Sequence, residues 1–211
     1  MISKYESFNL EIENDIANII LSRPEQLNSM SRKFWVELPE ILEEVNRNSE
    51  IRVLIISSTG KHFCAGMDLS AFDNGVANIP KEKRPDNARI GEALYRSARE
   101  LQEYISKLEK IRVPVIAAIH GGCIGGAVDL VTACDIRLAT TDAFFCIQEI
   151  NIGMAADVGT LQRLPRIIPD SKMRELAYTG RRMLADEAKE SGLVSDVYNS
   201  QEEMVNAAKE M

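Results

Sequence analysis

The chain has 211 residues, of which 45% are apolar and 27% charged, and its 25 basic and 32 acidic residues leave a net charge of −7. That length holds one domain with a sizeable core, and the acidic balance disfavours bulk electrostatic binding to nucleic acid or anionic membranes. No apolar run approaches the ~20 residues that span a bilayer, and residues 1–9 lack a signal peptide's basic and apolar segments.

Two β-rich runs open the chain, at residues 8–12 and 16–21, with Asn14-Asp15 between them as a hairpin turn. Ser31 is placed to cap a helix whose apolar positions Phe34, Leu38, Ile41, Leu42 and Val45 share one face, and Pro39 should kink or restart it. Residues 53–56 and 115–119 are continuous apolar runs, typical of parallel strands covered on both faces. Between them, the polar stretch 74–87 has two prolines and no periodicity, and reads as a mobile loop. A long amphipathic helix follows, with Ile90, Leu94, Leu101, Ile105 and Leu108 on one side. Residues 121–126 form a glycine-rich turn into an apolar helix. Strands at 135–138 and 144–147 come next, then helices near 161–167, 171–179 and 185–191, a strand at 194–198 and a helix from Gln201. Alternation of this kind predicts an α/β fold.

The four cysteines, Cys64, Cys123, Cys134 and Cys146, form no CxxC pair and read as buried reduced thiols. His62 and His120 have no partners at metal-ligand spacing, so no metal site is expected.

Three features bear on chemistry. A strand ending in glycines and opening a helix leaves free backbone N–H groups suited to an anion or a developing oxyanion. The segment after Gly121 matches no phosphate loop, and it places Asp129 one turn inside the helix. The second feature, the run 61–69, contains Ala65-Gly66, small enough for close backbone approach, and Asp68, which can cap a following helix. The third is the acid pair Glu149 and Asp157. Asp157 sits among Ala155, Ala156, Val158 and Gly159, so it is either a buried proton-transfer group or the cap of the next helix.

Taken in order, Arg23-Pro24…Asn28, Ala65 to Leu69, Pro114 to Gly121, Gly125-Gly126…Asp129…Cys134-Asp135, and Glu149-Ile150…Gly159 to Pro165 resemble the crotonase (enoyl-CoA hydratase/isomerase) family along nearly the whole chain. The resemblance implies a spiral of ββα units, a homotrimer or homohexamer, and an acyl-CoA thioester as substrate. No separate cofactor, metal, nucleic acid or membrane partner is implied. It also implies an oxyanion hole from the backbone N–H groups of Met67 and Gly126, with Gln26, Leu27, Ala65, Gly66, Asp68 and Leu69 on the coenzyme A side.

Hydratases of this family carry glutamates at the positions of Asp129 and Glu149 and commonly glycine at Asp157. The set Asp129, Glu149 and Asp157 resembles instead the Δ3,5-Δ2,4-dienoyl-CoA isomerases of fatty acid β-oxidation. That likeness implies proton removal by Glu149, delivery by Asp157, and an orienting or modulating role for Asp129. Hydration of an enoyl-CoA, or thioester binding without turnover, are the alternatives. Family members continue past the position of Met211, so the expectation is a crotonase-like core over residues 1–198 and the start of a truncated C-terminal helical region over 199–211. The expected location is the cytoplasm, with peroxisome or mitochondrion if the source is eukaryotic.

Overall fold

The computed structural model describes residues 2–68 and 86–211. Most of the expected loop at 74–87 therefore lies outside the described residues; Asp86 and Asn87 instead open a helix, the Asp86 carboxylate accepting from Ala88 N and Arg89 N.

Strands β1 (Ile2–Lys4), β2 (Phe8–Glu13) and β3 (Ile16–Leu21) form an antiparallel meander. Asn14 and Asp15 turn between β2 and β3 with φ of 49° and 65°, the left-handed pair that a two-residue hairpin requires. Helix α1 (Arg32–Arg47) begins at Ser31, whose hydroxyl accepts from Phe34 N at 3.3 Å, and crosses over to β4 (Val53–Ser58), parallel to β3. It runs through Pro39 without restarting. An interior proline costs ~3 kcal/mol, whereas each buried large apolar side chain stabilises by roughly 1.5–3 kcal/mol. Leu38, Ile41 and Leu42, next to Pro39, are all buried.

Helix α2 (Asn87–Lys110) returns the chain to β5 (Val115–Ile119), parallel to β4. Its expected apolar side is buried only at Ile105 and Leu108; Leu94 is 39% exposed. Then follow β6 (Gly122–Ile124), α3 (Gly126–Thr132), β7 (Ile136–Thr140), β8 (Phe144–Cys146) and α4 (Thr160–Arg163). The chain continues through α5 (Asp170–Thr179), β9 (Met183–Leu184), α6 (Ala185–Glu190), β10 (Asp196–Tyr198) and α7 (Gln201–Glu210).

Among the described residues these strands build a large sheet, β1-β2-β3-β4-β5-β7-β10, and a small one, β6-β8-β9. The units β5–β6–α3 and β7–β8–α4 each give one strand to each sheet, and Cys64, after β4, extends the small sheet through a parallel bridge to Cys123. Each ββα unit thus advances by one strand in both sheets. Along β4 and β5 the side chains alternate: Leu54, Ile56, Val115 and Ala117 face the main core, while Ile55, Ile116 and Ala118 pack with Met204 and Ala208 of α7. Both faces are covered, so these strands are apolar throughout. All four cysteines are free and buried, and burial pushes the Cys64 and Cys134 thiols up to about 12.

Arg137 on β7 ties α3 in place. Its guanidinium donates to Cys134 O at 2.6 Å, to Val131 O at 3.3 Å and to Leu193 O at 2.7 Å. The first two carbonyls belong to the carboxyl-terminal end of α3, where a cation also opposes the helix dipole. Replacing Arg137 by Met leaves those buried acceptors without a donor, so Arg137→Met should lower the unfolding free energy by roughly 2–4 kcal/mol in urea titration.

Candidate active site

Residues 61–68, after β4, run directly against residues 120–126. Phe63 N donates to His120 O at 2.8 Å, Cys64 N to Gly122 O at 3.1 Å, and Ile124 N to Cys64 O at 3.1 Å. Gly66, at φ 84°, comes so near that an added Cβ would sit 2.5 Å from Ile124 O and 3.3 Å from Gly126 N. No larger residue fits there. Asn28 braces the same segment: its amide donates to Thr59 O at 2.7 Å and to His62 O at 2.9 Å, and its oxygen accepts from Arg23 N at 2.9 Å.

This crossing orients two N–H groups. Met67 is bridged to Met30, with Met30 N donating to Gly66 O and Asp68 N to Met30 O. Neighbouring N–H groups of an extended chain point to opposite sides, so the Met67 N–H faces away from Met30. Gly126 N is the first N–H of α3, following Gly125 at φ 55°, and an ideal Cβ on Gly126 would lie 3.9 Å from Met67 N. Neither N–H has an acceptor among the described residues.

A cavity of about 380 Å³ opens beside this pair, lined by Ala65, Gly66, Met67 and Gly126, by the three acids Asp129, Glu149 and Asp157, and by apolar groups such as Trp35, Ile124 and Val158. Glu149 starts a 3-10 turn, Glu149–Ile152, and tucks its carboxylate over Gly125, with Oε1 3.2 Å from where a Cβ would stand. Burial raises the Glu149 carboxyl above its ordinary value; its own backbone N–H opposes this and the Asp157 charge adds to it. Asp129 is 1% exposed, and burial pushes its carboxyl up to about 7 against the opposing bonds from Thr160, with Glu149 and Asp157 adding repulsion. Its Oδ1 accepts from Thr160 N at 2.6 Å. Asp129 Oδ2, Glu149 Oε2 and Trp35 Nε1 are buried without partners. Orphaned polar atoms of this kind concentrate where ligands bind.

Six of the expected residues therefore come together with Asp157: Ala65, Gly66, Met67, Gly126, Asp129 and Glu149. Asp157 is neither buried nor a cap: its side chain is exposed, and Gly159 precedes α4. Its neighbours Ala156 and Val158 are the ones buried in the core, and Asp157 stands on the turn between them. Asp68 lies off the cavity, accepting from Ser29 Oγ at 3.2 Å and facing Arg23 at 3.8 Å. Gln26, in the turn Pro24–Gln26, and Leu27, which caps it, also lie off the cavity, although Leu27 O accepts from Ala65 N at 3.0 Å. Leu69 is outside the described residues. Sequence reasoning missed Trp35, Gln148 and Arg182, which line the cavity; Arg182 lies 4.3 Å over the Phe144 ring. Trp35 occupies the helical position beside Phe34, and nothing in periodicity separates it from a core aromatic.

Burial holds the Asp129 carboxyl up at about 7 in the folded chain, well above the ordinary carboxylate range. A raised carboxyl contributes stability that is fully present below the unfolded value and lost as pH rises through the folded one. Asp129→Asn keeps an acceptor for Thr160 N and removes the charge. Its stability relative to the parent chain should rise between pH 4 and 7 and level off above, as read by urea unfolding at each pH.

The enoyl-CoA hydratase/isomerase family profile matches residues 11–211. The mitochondrial Δ(3,5)-Δ(2,4)-dienoyl-CoA isomerases of Rattus norvegicus and Homo sapiens are 45% and 46% identical over 206 residues, 97% of this chain; the chain spans 62% of their length. The peroxisomal isomerase of Arabidopsis thaliana is 44% identical, with 92% of this chain and 69% of that protein covered. Among solved structures, the enoyl-CoA hydratase of Bacillus anthracis superposes with a TM-score of 0.83 at 32% identity, covering 97% of this chain and 74% of that one. In sequence and in fold, this chain belongs to the enoyl-CoA hydratase/isomerase family.

Proposed function

We propose that the chain isomerises a 3,5-dienoyl-CoA to the 2,4-dienoyl-CoA. The observation that carries this reading is Asp157 joining Glu149 on the wall of one cavity, next to the free N–H groups of Met67 and Gly126. The isomerases named above support it as relatives. Glu149 removes a proton from C2, and the negative charge spreads along the conjugated chain onto the thioester oxygen. The Met67 and Gly126 N–H groups hold that oxygen; one preorganised donor of this kind typically supplies roughly 3–4 kcal/mol. Asp157 gives a proton to C6. One proton leaves and one enters, so the product keeps the substrate's composition, and Glu149 and Asp157 reset through exchange with water.

The raised Glu149 carboxyl is a stronger base than an ordinary carboxylate, which suits proton removal from carbon. Exposed Asp157 can recover its proton directly from solvent. Asp129, fixed to Thr160 N, orients the segment that carries Asp157. The substrate's coenzyme A is the one nucleotide group this chemistry needs, and Gln26, Leu27, Asp68 and Leu69 are assigned to its side.

Incubation with 3,5-octadienoyl-CoA should produce the absorbance of a conjugated 2,4-dienoyl thioester. Asp157→Asn and Glu149→Gln should each lower the rate by roughly 10²- to 10⁴-fold with unchanged folding. Full activity in Asp157→Asn, or hydration of a 2-enoyl-CoA as the main reaction, sinks the assignment.

A homotrimer or homohexamer is part of the same proposal. Ile150, in the turn after Glu149, and Tyr178, on α5, are exposed apolar side chains that line one apolar cleft, and such a surface favours burial against another copy. Light scattering on the purified chain should give three or six times the 23.6 kDa of one chain; any other mass overturns this part.

A further inference from the structure

Asp157 sits on the short segment between the Glu149 turn and α4, and no hydrogen bond or ion pair among the described residues fixes its carboxylate. The direction of that carboxylate is therefore set by the backbone beneath it, and α2 holds this backbone. Gln102 Nε2 donates to the Asp157 carbonyl at 2.7 Å. Arg163 donates to Val158 O at 3.3 Å and closes back onto α2, to Ser106 Oγ at 3.0 Å and Glu109 Oε2 at 2.6 Å.

Gln102, Ser106 and Glu109 follow helical spacing, so one polar stripe of α2 faces this segment. Gly159, at φ 136°, is the complement of that stripe: a Cβ there would land on the Arg163 guanidinium. On the opposite side, Thr160 N is tied to Asp129 Oδ1. Residues 157–160 are thus gripped between α2 and α3.

We infer that Gln102 is a positioning residue for Asp157. This rests on the proposed isomerisation, in which Asp157 delivers the proton to C6. The Gln102 amide fixes the plane of the peptide that follows Asp157, and with it the torsion that aims the Asp157 side chain into the cavity. Gln102 itself does not line the cavity. Without its donor the carboxylate loses its aim while Glu149 and the two N–H groups stay in place. Misplacement by about 1 Å can cost up to ~10² in rate, and loss of one of several restraints should cost roughly 10-fold.

The test is Gln102→Ala and Gln102→Glu, the second keeping the shape but replacing the donor with acceptors. Both are assayed with 3,5-octadienoyl-CoA in D2O for kcat and KM of isomerisation. Deuterium at C2 of recovered substrate is read by mass spectrometry, a step that needs Glu149 and the N–H pair but not Asp157. The expected result is a kcat reduced roughly 10-fold, with KM, C2 exchange and melting temperature held within experimental scatter. Unchanged kcat overturns the inference, and so does a parallel fall of kcat and C2 exchange, which marks a general structural role. A parent chain that makes no 2,4-dienoyl product fails at an earlier point and overturns the isomerase reading itself.

Discussion

The backbone of residues 63–67 lies against that of residues 120–126 at a separation that leaves no room for a side chain at Gly66. Because the contact is a parallel bridge, Cys64 to Cys123, its register is set by hydrogen bonds on both sides of that bridge. The same register brings Met67 N and Gly126 N to one wall of the cavity. Neither group depends on its own side chain, so their position is a property of the two sheets and of the strand order. Asn28 and Arg137 serve this contact from a distance, one by anchoring the carbonyls of Thr59 and His62, the other by fixing the far end of α3.

Once the backbone is fixed, three carboxyl groups share one cavity, and each has a different environment. Asp129 is buried with one oxygen bonded to a backbone N–H, Glu149 is half-buried, each keeps one oxygen without a partner, and Asp157 is open to solvent. Enclosed carboxylates are costly when ionised, and their mutual repulsion adds to that cost. Separation of environments is how neighbouring acids of similar intrinsic strength come to hold protons differently.

The central strands and the first hairpin were legible because their signals are local. Residues 53–56 and 115–119 are unbroken apolar runs, and Asn14-Asp15 tolerates the left-handed turn. The two-residue strand β9 was not, since it exists only through pairing with Phe144 and Phe145. The glycine segment at 121–126 reads as a turn, yet contains β6, which is held by Phe144 to Cys146. The amphipathic pattern of α2 was correct, but periodicity does not tell how much of a helix reaches the core. Asp129 and Glu149 could be picked out by residue type and context. The exposure of Asp157, and the hold of Gln102 and Arg163 on its segment, depend on how α2 packs and have no local signature.

The choice of aspartate at position 129 follows from the same geometry. Its short side chain ends at Thr160 N, 2.6 Å away, and so spends one oxygen on holding the start of α4. A glutamate there would carry its carboxylate one methylene further than this bond accommodates. The resemblance to hydratases places a glutamate at that position to act on a water, and the longer reach suits such a role. With aspartate, the carboxylate stops at Thr160 N, and the segment bearing Asp157 gains an anchor. On the proposed reading, shortening one acid and adding another are therefore coupled changes: the first fixes the segment on which the second must stand.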